Sequence, residues 1–158
     1  MSFRASSTAR AWLYAALVLV CVVAVDQLTK SAVRRSIVPG EEHKLVPGVQ
    51  LVNTHNEGVA FGLLPGDHVA VTILIALAVL VLLVYFALHA GRPLMWLPTG
   101  MIAGGALGNV LDRVRHGSVT DFIKLPLGWP AFNLADASIT IGVLLLFLLI
   151  DRARHAQS

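Results

Sequence analysis

Residues 69–88, VAVTILIALAVLVLLVYFAL, run without a single charged side chain. A bilayer hydrocarbon core about 30 Å thick is crossed by roughly 20 residues of helix. This run therefore predicts a membrane-spanning helix and constrains the fold more than any other feature. Three further apolar runs accompany it: AWLYAALVLVCVVAV at 11–25, LMWLPTGMIAGGALGNVL at 94–111, and a run from Phe132 to Ile150. Each reaches spanning length only when the polar residues at its ends are included. The reading is an all-α membrane protein of one domain, with four transmembrane helices at about 10–29, 69–88, 94–112 and 132–151. The composition agrees: 56% hydrophobic and 13% charged residues cannot furnish the surface of a soluble domain of 158 residues.

The segment between the first two helices is not a bare linker. Alternating Leu45, Val49 and Leu51, with Pro-Gly pairs at 39–40, 47–48 and 65–66, read as short strands joined by turns. A small extracytoplasmic β-element is expected at about 41–66. Residues 1–8 and 152–158 read as frayed tails, and 119–122 as loop. The first run could instead be a signal peptide, but no A-x-A site follows it and Asp26 to Lys30 make a poor cleavage region. Four helices place both termini on one side. That side carries Arg4, Arg10, Arg92, Arg152 and Arg154; the other carries Lys30, Arg34, Arg35, Lys44, Arg113, Arg115 and Lys124. The raw count opposes cytoplasmic termini. The rule weights short flanks close to the helices, and on that weighting the termini are expected in the cytoplasm.

Chemistry gathers at the helix ends. Asp136 lies inside the fourth run, FNLADASITIGVLLLFLLID. An ionised Asp at the centre of a span costs roughly 2.5–3.5 kcal/mol. A position near the helix N-terminus returns about 0.3–1 kcal/mol, so capping explains only part of its presence. Asp26 and Lys30 are four apart and share a helix face, as an interfacial ion pair or as part of a site. Gly100, Gly104 and Gly108 form a ladder that lets another helix approach. Gly105, Asn109 and Asp112 line one face, with Arg113 beside them, and predict a charge-assisted network. Topology brings Asp26, Asn109, Asp112, Arg113, Asp121, Asn133 and Asp136 to the same side of the membrane. Two close carboxylates share a proton, so Asp121 and Asp136 suit water activation by a carboxylate pair.

Other chemistries find little support. There is no H-E-x-x-H or cysteine cluster for zinc, no G-x-S-x-G and no P-loop spacing. The single Cys21 has apolar neighbours and forms no intramolecular disulfide. A Ser–Lys dyad of Lys30 with Ser118 or Ser138 lacks a supporting pattern. No basic stripe with interleaved aromatics points to nucleic acid. A proton-coupled transporter would spread its acids through the membrane depth, and an assembly factor would use the glycines and polar ends for packing alone.

Five ordered blocks carry a resemblance: DQLTK at 26–30, NEGVAFG at 56–62, GGALGNVLDR at 104–113, VTDF at 119–122 and FNLAD at 132–136. In these the chain resembles the lipoprotein signal peptidases (signal peptidase II), bacterial inner-membrane aspartic proteases, over nearly its whole length. The resemblance implies removal of signal peptides from prolipoproteins just before a diacylglyceryl-modified cysteine, without metal or cofactor. It implies Asp121 and Asp136 as the catalytic pair. It implies Asp26, Lys30, Asn56, Gly105 or Gly108, Asn109, Asp112, Arg113 and Asn133 as substrate-binding or supporting residues. It further implies a β-cradle over the site, membrane lipid and a globomycin-type inhibitor as partners, and a monomer. In the mechanism expected for such a pair, Phe61 and the surrounding loop act as a lid. The Pro-rich connection KLPLGWPAFN before the fourth helix is short for the family.

Overall fold

The computed structural model describes residues 2–56 and 68–155. Its elements run α1 (Ser2–Ser36), β1 (Glu42–Val46), β2 (Val49–Asn56), α2 (His68–His89), α3 (Trp96–His116), β3 (Val119–Lys124) and α4 (Leu134–His155). Three helical stretches, Ser7–Ser36, Ala70–His89 and Leu134–His155, are long and apolar enough to cross a membrane. Their outward faces remain apolar: Leu17, Leu28, Leu77, Val81, Leu144 and Phe147 are all exposed. Patches of that extent mark a surface meant for lipid or protein rather than water.

The fourth long helix, α3, packs against each of the other three. Its glycines make this possible. A methyl group added at Gly100 would lie 2.6 Å from the Ala15 carbonyl oxygen, and at Gly104 2.9 Å from Val22 Cβ, both on α1. At Gly105 it would lie 2.5 Å from the Ala135 carbonyl oxygen on α4. Gly142 of α4 reciprocates, with Ile102 Cγ1 2.7 Å from the missing Cβ. The expected ladder thus serves α1, and Gly105 opens a second seam toward α4. Because the obstacle at Gly105 is backbone, relaxation is costly. Gly105→Ala is expected to destabilise the protein by about 1–3 kcal/mol through overpacking. Gly91→Ala, with no atom within 4 Å of the new methyl, should change little. Thermal unfolding of both variants in detergent checks the contrast.

Three expectations about element bounds are corrected. Residues 2–8 and 152–155, expected as parts of frayed tails, are helical, and α1 also continues past Lys30 to Ser36. Lys30, Val33 and Ile37 keep one buried face going at helical spacing, and Val33 and Ile37 pack with Phe122. Residues 119–122 are strand, not loop. The β-branched and aromatic side chains of VTDFIK suit a pleated, buried surface, and β2 supplies the partner. The sheet is antiparallel in the order β1-β2-β3. Thr54 lies opposite Asp121 and His55 opposite Thr120. The Pro-rich connection is closed at its base by Ile123 and Phe132, whose N–H groups donate to each other's carbonyls at 2.8 and 3.0 Å. This closure ties β3 to the start of α4. Of the expected β-element, 42–56 is observed in part as β1 and β2; residues 57–66, with Phe61 and the rest of the second block, lie outside the described residues.

Candidate active site

Asp136 opens α4 in a reciprocal cap. The Asn133 Oδ1 accepts the Asp136 N–H at 2.9 Å, and the Asp136 Oδ2 accepts the Asn133 N–H at 3.2 Å. This is a capping box in which Asn and Asp fill the usual Ser/Thr and Glu positions. Asp136 is therefore in the first turn, where the dipole favours it, and only half-buried. Asp121 comes from β3 and is buried. Asn133 reaches it as well: the Asn133 Nδ2 donates to Asp121 Oδ1 at 2.7 Å. One residue thus contacts both carboxylates, through its backbone to one and its side chain to the other.

The remaining carboxylate oxygens also have donors. Asn109 Nδ2 donates to Asp136 Oδ1 at 2.8 Å. Asn56 Nδ2, from the end of β2, donates to Asp121 Oδ2 at 3.1 Å. The Thr54 hydroxyl donates to the Asp121 carbonyl at 3.0 Å and fixes the strand register beside it. Burial pushes the Asp121 carboxyl up to about 6, with the like charge of Asp136 acting in the same direction; the amides of Asn56 and Asn133 and the charge of Lys30 oppose them. Two carboxylates sharing amide donors, one of them raised toward neutrality, can hold a single proton between them.

Behind the pair lies a fully buried ionic cluster. Lys30 Nζ is 2.9 Å from Asp26 Oδ2 and 3.4 Å from Asp112 Oδ2, and it donates to Asn109 Oδ1 at 2.8 Å. The pair Asp26–Lys30 is thus interior rather than a solvated anchor. The cations that meet Asp112 are Lys30 and Arg34, the latter at 3.7 Å. The network expected around Arg113 is therefore centred on α1. Arg113 itself donates to the Asn109 carbonyl at 3.4 Å, and its guanidinium lies in the field of Asp136, Asp121 and Asp112.

The structure brings Asp26, Lys30, Asn56, Asn109, Asp112, Arg113, Asp121, Asn133 and Asp136 to one end of the helices. It gives the two glycines a packing role. Gly105 faces the Ala135 carbonyl, and a methyl at Gly108 would meet Asp26 Oδ2 at 2.6 Å. Three participants escaped the sequence reasoning: Gln27, Arg34 and Thr120. Gln27 Nε2 donates to Asp112 Oδ1, the Gly108 carbonyl and Asp26 Oδ2 at 3.0–3.2 Å. Arg34 donates to the Thr120 hydroxyl at 2.8 Å. The signal for Arg34 was its spacing, four residues beyond Lys30 on the face that begins at Asp26. Among the described residues, no group of three or more His, Cys, Asp and Glu is set to hold a metal.

Known proteins are similar to this chain over most of its length. The family model described as signal peptidase (SPase) II matches residues 18–151. A lipoprotein signal peptidase of Syntrophomonas wolfei is 43% identical over 140 residues, 87% of this chain and 93% of that protein. One from Burkholderia thailandensis is 41% identical over 154 residues, 92% and 91% of the two chains. A solved bacterial membrane enzyme, determined by the in meso method at 2.3 Å resolution, superposes with a TM-score of 0.84 at 30% identity and 91% coverage of both chains. A second, at 1.9 Å, gives 0.74 at 32% identity, covering 86% of this chain and 91% of the other. With its described helices, its three-stranded sheet and a match spanning all but the ends of its sequence, the chain belongs to the signal peptidase II family of peptidases.

Proposed function

We propose that this protein removes signal peptides from prolipoproteins, cutting just before a diacylglyceryl-modified cysteine, with Asp121 and Asp136 as the water-activating pair. The observation that carries the reading is Asn133, which hydrogen-bonds both carboxylates. Such a pair needs no cofactor. The ionised carboxylate takes a proton from a water lying between the two as that water attacks the scissile carbonyl. The protonated partner donates to the developing oxyanion and then, through the pair, to the leaving amine. Which carboxyl is the base at rest belongs to the pair as a whole. Asn56, Asn109, Asn133 and Arg113 orient the carboxylates and the substrate backbone. Asp26, Lys30 and Asp112 support them from behind.

The proposed setting is the bacterial inner membrane, crossed four times, with α3 as the fourth span between the other three. Both termini are cytoplasmic and the pair lies near the extracytoplasmic face. The substrate arrives laterally, because its acyl chains leave lipid only at high cost. The sheet shelters the site as a cradle. The proposal includes a monomeric enzyme inhibited by globomycin-type compounds.

The test is cleavage by the purified full-length protein of a diacylglyceryl-modified prolipoprotein and its unlipidated counterpart. Cutting of the first, before the modified cysteine and insensitive to chelators, supports the reading. No cutting, or equal cutting of both, refutes it. The raised Asp121 carboxyl adds a pH signature. Above about 6 it loses its proton, the pair becomes doubly ionised, and no acid is left to donate. The rate is expected to fall as pH rises through about 6. Stability should fall in the same direction. The folded state holds this proton more tightly than the unfolded chain, so the contribution is full below the ordinary value of 3.8 and is lost by about 6. A pH–rate profile flat from 5 to 8 would contradict the one-proton pair.

A further inference from the structure

Neither catalytic candidate touches Lys30 directly, yet both are held through it. The residue immediately before each carboxylate donates its backbone N–H to a buried acid. Ala135, before Asp136, donates to Asp26 Oδ1 at 3.0 Å. Thr120, before Asp121, donates to Asp112 Oδ2 at 3.0 Å. These two acids belong to different helices, α1 and α3, and Lys30 joins them at 2.9 and 3.4 Å. All three charged side chains are fully buried.

Two buried carboxylates this close repel unless a cation lies between them. Lys30 lies between them and offsets that repulsion, while each acid accepts a backbone N–H. It also acts on the side chains. An ammonium group has donors only, so it dictates which end of the Asn109 amide faces it. The oxygen turns to Lys30 at 2.8 Å and the nitrogen turns to Asp136 at 2.8 Å. The same oxygen accepts from Asn133 Nδ2 at 3.2 Å, the group that also contacts Asp121.

We propose that Lys30 is a positioning residue for both carboxylates at once: through Asp26 and Asp112 it sets the backbone at Ala135 and Thr120, and through Asn109 it orients the amides between Asp121 and Asp136. The inference rests on the proposed function and assigns what that reading leaves open, namely what spaces the pair. Asp26 and Lys30 are then neither a membrane anchor nor a substrate contact.

The experiment compares wild type, Lys30→Met and the double variant Asp26→Asn/Lys30→Met, each as the full chain in lipid nanodiscs. The double variant removes the cation with one anion, so it remains informative where the single variant fails to fold. Two quantities are read: steady-state cleavage of the diacylglyceryl-modified prolipoprotein, and hydrogen exchange at the Thr120 and Ala135 amides against α2 amides as reference. The expected result is a kcat lowered about 100-fold, the cost of a carboxylate misplaced by about 1 Å. KM should stay within about threefold of wild type, because Lys30 is buried away from substrate, and exchange should quicken at both amides while α2 is unchanged. Loss of stability alone would not split kcat from KM or single out those two amides. A kcat lowered only by the unfolded fraction, a rise in KM in place of the fall in kcat, or exchange altered at one amide or neither overturns the proposal. If wild type itself does not cut, the function and this inference fall together. If wild type cuts and the folded variants cut normally, only the inference falls.

Discussion

Asp121→Asn and Asp136→Asn are each expected to lower the cleavage rate by about 10³–10⁴-fold, the range supplied by a positioned acid–base group. Both substitutions keep volume and one acceptor oxygen. The Asp121 variant can still accept the Asn133 amide, now at 2.7 Å. The Asp136 variant can still accept the Asn109 amide, now at 2.8 Å. Folding should therefore survive, with thermal midpoints within a few degrees of wild type. The Asp136 variant loses only the return half of its cap, about 0.5–2 kcal/mol at most. Single-turnover cleavage with excess enzyme isolates the chemical step and checks the effect. Near-normal cutting by either folded variant would leave Asp136 as a helix cap and shift attention to Asp26, Lys30 and Asp112.

Asp112→Ala should produce the opposite pattern, a large loss of stability. Asp112 is fully buried and accepts from Gln27 at 3.0 Å and from the Thr120 backbone at 3.0 Å, besides meeting Lys30 and Arg34. Truncation leaves one buried cation with a single remaining acid and strands a buried N–H. Breaking a buried ion pair from one side costs about 3–5 kcal/mol. Asp112→Asn keeps an acceptor for Thr120 and should cost distinctly less. Denaturant unfolding in detergent micelles measures both. Equal stability of the two variants would mean that the contacts of Asp112 are replaceable by water or by rearrangement.

The helical plan was legible in the sequence because lipid imposes a length and an apolarity that few other folds share. The residues of the site were legible because charges and amides at the ends of apolar runs are costly unless used. Asp26, Asn109, Asp112 and Asp136 stood out on that ground alone, and Asp121 joined them because the helix topology places it on the same side of the membrane. The sequence offers Asp136 as the cap of the fourth helix; in the structure Asn133 takes that position and Asp136, three residues on, returns the bond. The strand at 119–124 escapes local reading because its partner, 49–56, is distant in sequence, and six residues of mixed polarity do not announce pairing by themselves. The length of α1 is hidden for a related reason: its last turns are amphipathic and are held by β3, a partner that no local pattern in α1 announces.

The sequence by itself determined that this chain is a bundle of membrane helices with carboxylates and amides collected at one end, since hydrophobic length and the cost of buried charge are local properties. Only the tertiary structure decided how those groups are joined. That Asn133 touches both carboxylates, that Arg34 meets Asp112 beside Lys30, that Gly105 and Gly108 are filled by Ala135 and Asp26, and that the N–H before each carboxylate ends on an acid bound to Lys30 all depend on the distance and rotation between packed helices. Periodicity names the residues on a face, but hydrogen bonds form only within about 3 Å, and that scale is set by packing between elements far apart in the chain.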